Sequence, residues 1–123
     1  KEALIDVNWL HPGQHITAMG SDLPGKQELD PKILAAVDRL VCDTRAQCFV
    51  GGELQHGLAT GIIGKESEII ELGQVTSKQV LGRTDDQQIT MCDLTGTGVQ
   101  DTAISLIARD KALKQNIGIT IDA

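Results

Sequence analysis

Apolar and polar positions along the chain alternate between two periods. Three short stretches read as strands: HITAMG (15–20), RLVCD (39–43) and QITMCDL (88–94). The last is nearly continuous in apolar character, as strands buried on both faces tend to be. Between them the spacing turns helical. Asp30-Pro31 supplies an N-cap and a first-turn proline for a helix over KILAAV. Thr44-x-x-Gln47 predicts a capping box opening one helix that carries Ala46, Phe49, Val50, Leu54 and Leu58 as far as Gly61. A shorter helix is predicted from Ser67 through Leu72 and Val75. Thr97-x-x-Gln100 opens the last helix, with Val99, Ala103, Leu106, Ile107 and Leu113 as its apolar stripe. Lys111 and Lys114 suit its C-terminal end, and Asn116 and Gly118 can stop it. The closing GITID (118–122) reads as a final strand. Strands that alternate with helices predict an α/β fold with a parallel sheet and flanking helices.

Composition narrows the possibilities. At 123 residues the chain is about one domain, and 41% hydrophobic content with a mean hydropathy of -0.07 fits an ordinary globular domain. One Trp, one Phe and no Tyr leave the core to aliphatic side chains. A net charge of -6 repels a phosphate backbone, and almost no aromatics are present for base stacking, so no nucleic acid is expected as a partner. There is no apolar run long enough for a membrane span and no signal-peptide pattern. Cys42, Cys48 and Cys92 are odd in number and form no C-x-x-C pair, which predicts reduced, mostly buried thiols in a cytoplasmic setting. No metal site is expected from them with His11, His15 and His56.

Two glycine-containing stretches follow strand ends, where α/β proteins bind ligands. In MCDLTGTGVQD, Gly96-x-Gly98 resembles the start of a dinucleotide fingerprint, but Asp101 stands where the third glycine belongs. A carboxylate in the first turn of a helix already answers its dipole and repels a pyrophosphate. The turn therefore reads as a capped strand-to-helix junction that can line a site without holding phosphate. In MGSDLPGKQELDP, Asp22 and Lys26 flank a Pro24-Gly25 turn. They form either a proton-handling pair on a pocket rim or a solvated surface ion pair. Glu53 and His56 share a helical face and read as a solvated or internally satisfied pair. Arg83-Thr84-Asp85-Asp86 reads as a polar loop.

The segments PGQHITAMGSDLPGKQELDP, VCDTRAQC, GELQHG, ELGQV and GRTDDQQITMCDLTGTGVQDTAI occur in the order seen in the ornithine cyclodeaminase and mu-crystallin family. The wording of HITAMGSD and CDLTGTGVQDTAI most resembles its ectoine-utilisation and cyclodeaminase-like branch. The resemblance implies a homodimer with a Rossmann NAD(P)-binding domain and a second domain for dimerisation and substrate. It implies cyclodeaminase, amino-acid dehydrogenase or ketimine reductase chemistry on a small amino acid or imine. In the G-x-D-x-P-G-K motif it makes Asp22 the catalytic acid/base. Lys26 and the backbone of Met19, Gly20 and Ser21 become cofactor contacts. In the turn after the last strand, Leu94 becomes a cofactor contact, and Thr95 and Gly96 become substrate contacts. Leu94 stands where the family carries a serine, which leaves Thr95 as the source of a hydroxyl.

The family's G-x-G-x-x-G loop, its acidic ribose-binding residue and its basic substrate clamp have no counterpart in these residues. The resemblance thus implies the C-terminal third of such an enzyme. Residues 1–97 would be the second half of the Rossmann domain, and 98–123 a helix and strand returning to the other domain. The expectation is an enzyme part that is inactive alone. The alternative is a non-catalytic half-domain that self-associates to cover its exposed faces.

Overall fold

The computed structural model describes residues 2–119 and 121. Among them four strands form one all-parallel sheet in the order β1-β4-β2-β3: β1 His15–Ala18, β2 Arg39–Cys42, β3 Ile70–Glu71 and β4 Thr90–Asp93. The register aligns the C-terminal ends of the three longer strands, with Ala18 opposite Asp93 and Cys42 opposite Asp93 on the other side. Everything that follows those strands therefore gathers along one edge of the sheet. No helix among the described residues is long and apolar enough to cross a membrane.

Alternation within the strands builds two layers. Leu40, Cys42 and Met91 face a core completed by Leu29, Ile33, Leu34, Cys48, Leu54, Ile63 and Ile69. The covering helices are α1 (Ile33–Ala36), α2 (Arg45–Gly51) and α3 (Leu54–Thr60). Val41, Ile70 and Cys92 face the other way, against Leu72, Val75, Val80 and Leu94 around α4 (Leu72–Thr76). Strands β2 and β4 are thus apolar on both sides, as their continuous sequence requires. Strand β1 is not: His15 and Thr17 remain exposed, and its outer edge has no partner strand among the described residues. Cys42, Cys48 and Cys92 are free and buried.

Three local expectations need correction. The helix expected from Thr44 to Gly61 is two helices, broken at Gly51-Gly52. A Cβ on Gly52 would lie 2.4 Å from Asp93 Oδ2, so the chain opens there to let the end of β4 pass. Gly61 does end α3, in the left-handed conformation (φ 71°). The Thr44–Gln47 box does not form either. Glu71 Oε1 instead accepts the Arg45 N–H at 2.9 Å, so a strand in another part of the sequence caps α2. Finally, the helix expected from Ser67 begins only at Leu72. Ile69 and Ile70 point to opposite core layers, Ile70 and Glu71 extend the sheet as β3, and Glu71 with Gln74 caps α4.

The last helix, α5 (Gly98–Gln115), starts with the expected Thr97–Gln100 box and stops at Asn116 in the left-handed region (φ 53°). None of its residues is buried among the described residues, and its apolar positions Val99, Leu106, Ile107 and Leu113 are exposed. Of the expected terminal strand, Gly118, Ile119 and Ile121 carry no strand pairing, while Thr120 and Asp122 lie outside the described residues.

Candidate active site

The edge at the strand C-termini carries two loops side by side. The first leaves β1 at Ala18. Met19 is exposed, Gly20 donates its N–H to Glu28 Oε2 at 2.8 Å, and Ser21 is buried, its hydroxyl donating to the Lys26 carbonyl at 2.6 Å. Leu23-Pro24-Gly25-Lys26 then forms a tight turn. Gly25 has φ 78° and the Lys26 N–H returns to the Leu23 carbonyl at 3.2 Å, the geometry Pro-Gly favours.

That turn brings Lys26 Nζ to 2.6 Å from Asp22 Oδ1, with both side chains about half exposed on the rim. The Lys26 hydrogen bond holds the Asp22 carboxyl below the usual carboxylate range, against a smaller opposing effect of burial. Asp22 is therefore ionised near neutral pH, the state a proton acceptor needs. Helix α3 supports the loop from below. Gln55 Oε1 accepts from Gly25 N–H at 2.9 Å, and His56 Nε2 donates to the Lys26 carbonyl at 2.6 Å. Gly51 lies under the same loop, where a Cβ would sit 3.3 Å from the Asp22 carbonyl. The helix break at Gly51-Gly52 is thus what lets the loop seat against the sheet.

The second loop leaves β4 at Asp93. Leu94 is half-buried and continues the parallel ladder by donating to the Ala18 carbonyl at 2.9 Å. Thr95 and Gly96 (φ 83°) then turn toward α5. This turn is anchored by Asp43, the residue following β2. Asp43 Oδ2 accepts the N–H groups of Thr95 at 2.9 Å and Gly96 at 2.8 Å, while the Thr95 hydroxyl lies 3.2 Å from both carboxylate oxygens. Oδ1 also takes the Thr44 N–H at 2.8 Å and the Cys48 thiol at 3.0 Å. Burial alone would raise the Asp43 pKa, but these donors outweigh it and keep the carboxyl below the usual range. Gln47, free of the expected cap, donates from Nε2 to the Gly96 carbonyl at 2.8 Å.

Two further carboxylates lie beneath. Asp93 is fully buried, with Oδ2 accepting the Leu54 N–H at 3.1 Å and Oδ1 without a partner among the described residues. Burial pushes its pKa up, against the opposing N–H donors of Glu53 and Leu54. Glu53 is satisfied, though not by His56: its oxygens accept the Glu28 and Leu29 N–H groups at 2.8 and 3.3 Å. Burial raises its pKa as well.

The structure thus brings all the residues expected at the site to one edge. Asp22, Lys26 and Met19 lie on its exposed rim, Gly20 and Ser21 in the loop behind them, and Leu94, Thr95 and Gly96 across from them. Asp43 and Gln55 are support that the sequence pattern does not point to, and Gln47, expected as a cap, serves the site instead. A signal for Asp43 does exist in the sequence: both central strands end in Cys-Asp, at Cys42-Asp43 and Cys92-Asp93, and neighbouring parallel strands bring such repeats together.

Residues 1–116 match the model of the ornithine cyclodeaminase/mu-crystallin family. An uncharacterised cyclodeaminase of Sinorhizobium fredii is 44% identical over 115 residues, which are 94% of this chain and 35% of that protein. Among solved structures, the iminosuccinate reductase of Paracoccus denitrificans in complex with NAD+ superposes with a TM-score of 0.86 at 35% identity. It covers 100% of this chain and 37% of its own. An archaeal alanine dehydrogenase dimer with bound NAD gives 0.85 at 35% identity, over 98% of this chain and 38% of its own. The chain spans about a third of the length of the curated relatives it matches.

Proposed function

The chain belongs to the ornithine cyclodeaminase/mu-crystallin family, and we propose that it carries the proton-transfer end of an NAD(P)-dependent enzyme acting on a small amino acid or its imine. The observation that carries this reading is the Asp22–Lys26 pair at 2.6 Å, exposed in the loop that leaves parallel strand β1 next to the loop that leaves its neighbour β4. Within this reading residues 1–97 are half of a dinucleotide-binding domain, and 98–123 return toward a separate domain for dimerisation and substrate.

The residues fit the nicotinamide end of the cofactor. Exposed Met19 offers an apolar surface, and Gly96 has no atom within 4 Å of the position a Cβ would take. They do not fit its pyrophosphate, because Gln100 and Asp101 occupy the one strand-to-helix turn of G-x-G type. When bound, NAD(P) exchanges a hydride with the substrate carbon. Asp22 holds or takes a proton at the substrate nitrogen or at an attacking water, and Lys26 fixes Asp22 and orients the cofactor. The Met19–Ser21 backbone and Leu94 border the cofactor, while Thr95 and Gly96 wall the substrate.

Two measurements test this. The 123-residue chain alone should bind NAD(P) weakly or not at all by calorimetry and should not turn over. Substituted for the matching segment of the archaeal alanine dehydrogenase, it should support NAD-dependent turnover that Asp22→Asn reduces by a factor of about 100 or more. An inert but folded chimera, or an active one indifferent to Asp22→Asn, would refute the reading.

A second reading, a non-catalytic half-domain whose property is self-association, is favoured by one observation: α5 leaves Val99, Leu106 and Leu113, which recur every seven residues on one side of the helix, exposed. It expects oligomers in light scattering and an Asp22→Asn variant changed in stability only. A strictly monomeric, folded species at low concentration counts against it. Self-association as a homo-oligomer is compatible with the first reading too.

A further inference from the structure

All three hydrogen-bond donors of the dipeptide Thr95-Gly96 end on one carboxylate. The Thr95 N–H, the Thr95 hydroxyl and the Gly96 N–H all point at Asp43, at 2.8 to 3.2 Å. Loops at the C-terminal ends of parallel strands commonly present free N–H groups and so bind anions. Here that capacity is consumed internally. The Gly96 carbonyl is engaged as well, by Gln47. The next N–H, of Thr97, is turned to Gln100 Oε1 at 3.4 Å, and Asp101 follows in the first turn of α5. What Thr95 still offers at its hydroxyl is its lone pairs, because its proton is committed to Asp43. Behind it lies a carboxylate that is only 7% exposed.

We propose that Asp43 is the positioning residue of this turn and makes its rim an acceptor surface. The group that lies against Thr95 is then an N–H donor (a protonated amine, an iminium or a primary carboxamide) and not a carboxylate or phosphate. The inference rests on the reading above that this rim borders the site, and it assigns the polarity of that border. A hydroxyl free to rotate would serve either kind of partner; one fixed by a buried anion serves only donors. The shared N–H chemistry has two sources, the substrate nitrogen and the cofactor carboxamide.

The test uses the whole 123-residue chain, labelled with nitrogen-15, and follows the Thr95 and Gly96 amide resonances. The probes are ethylammonium, nicotinamide and acetate, each raised to tens of millimolar. Ethylammonium or nicotinamide should shift these resonances several-fold more than acetate. A response to nicotinamide alone assigns the contact to the carboxamide, and one to ethylammonium alone assigns it to the substrate nitrogen. Asp43→Asn should lower hydrogen-exchange protection at both amides at least tenfold and abolish the discrimination. Should that variant fail to fold, Thr95→Val keeps both N–H bonds and should lose the donor response with protection unchanged.

Equal shifts with acetate, no shift with any probe, or a Thr95→Val chain that responds like the parent would each overturn the proposal. An active chimera whose Thr95 responds equally to acetate would lose this inference and keep the functional reading. Discrimination in a chain whose chimera is inert would do the reverse.

Discussion

Helices α3 and α5 obey the same sequence rules with opposite results. Both carry apolar residues at helical spacing and both end in a left-handed residue. Yet α3, with seven residues, buries Leu54 and Gly57 completely enough that no space is left. The 18 residues of α5 bury nothing among the described residues. Length and capping make α5 a helix; contact makes α3 part of the core. Apolar spacing announces that a face wants cover, not that the cover lies in the same stretch of chain.

The sharpest way to break this contrast is to truncate matched leucines. Leu54→Ala, at a position with no exposure, should cost about 2–5 kcal/mol in urea unfolding. Leu106→Ala, half exposed on α5, should change stability by no more than about 0.5 kcal/mol in the same measurement. A comparable loss at both positions would mean that α5 packs against the body in solution.

Glycine gives a second comparison, smaller in size. A Cβ on Gly57 would meet Leu34 Cδ1 at 2.4 Å and Ile63 Cγ1 at 2.8 Å, whereas one on Gly98 would meet nothing within 4 Å. Gly57→Ala should destabilise by about 1–3 kcal/mol of overpacking, even though alanine is the better helix former. Gly98→Ala should be neutral or slightly stabilising, and thermal unfolding of the two variants checks the difference.

Acid titration separates the carboxylates of the body. The folded pKa of Asp43 is lowered, so its contribution is present above the unfolded value of about 3.9 and is lost as pH falls through the lower folded one. Asp93 and Glu53 are raised by burial. Their ionisation opposes folding, so stability should rise as pH drops through their folded values toward about 4. Denaturant midpoints should therefore climb modestly as pH falls through the folded values of Asp93 and Glu53 and then fall once Asp43 titrates. Asp43→Asn should shrink the final fall and leave the climb. The smallest effect belongs to α5: Ile107→Ser should leave the unfolding midpoint unchanged while reducing any association seen by light scattering.

What could be read from the sequence follows the range of the interactions. The Asp22–Lys26 turn, the Thr97–Gln100 box and the Gly61 and Asn116 stops all depend on neighbours within four residues, and all are where the pattern puts them. The misreadings have distant causes. Residues 70–71 become a strand because Val41 and Cys42 offer a free parallel edge. The Gly51-Gly52 break is imposed by Asp93, and the Gln47 side chain is drawn away by Gly96. At the candidate site, the Asp22–Lys26 pair is legible because it is local. Its scaffold is not, because Asp43 acts across 52 and 53 positions of sequence.

The three thiols give the sheet a built-in clock. Cys42 and Cys48 lie at zero exposure on one side of it and Cys92 at 8% on the other, the last with its pKa pushed up to about 11 by burial. Hydrogen bonding with Cys42 and burial raise the Cys48 pKa too. An alkylating reagent can therefore reach them only through molecules whose layers have parted, because the thiolate is the reacting form. Mass-resolved labelling in dilute urea would time the two faces separately. Equal rates would mean that both layers leave the sheet in one event, and a faster Cys92 would identify the α4 layer as the first to let go.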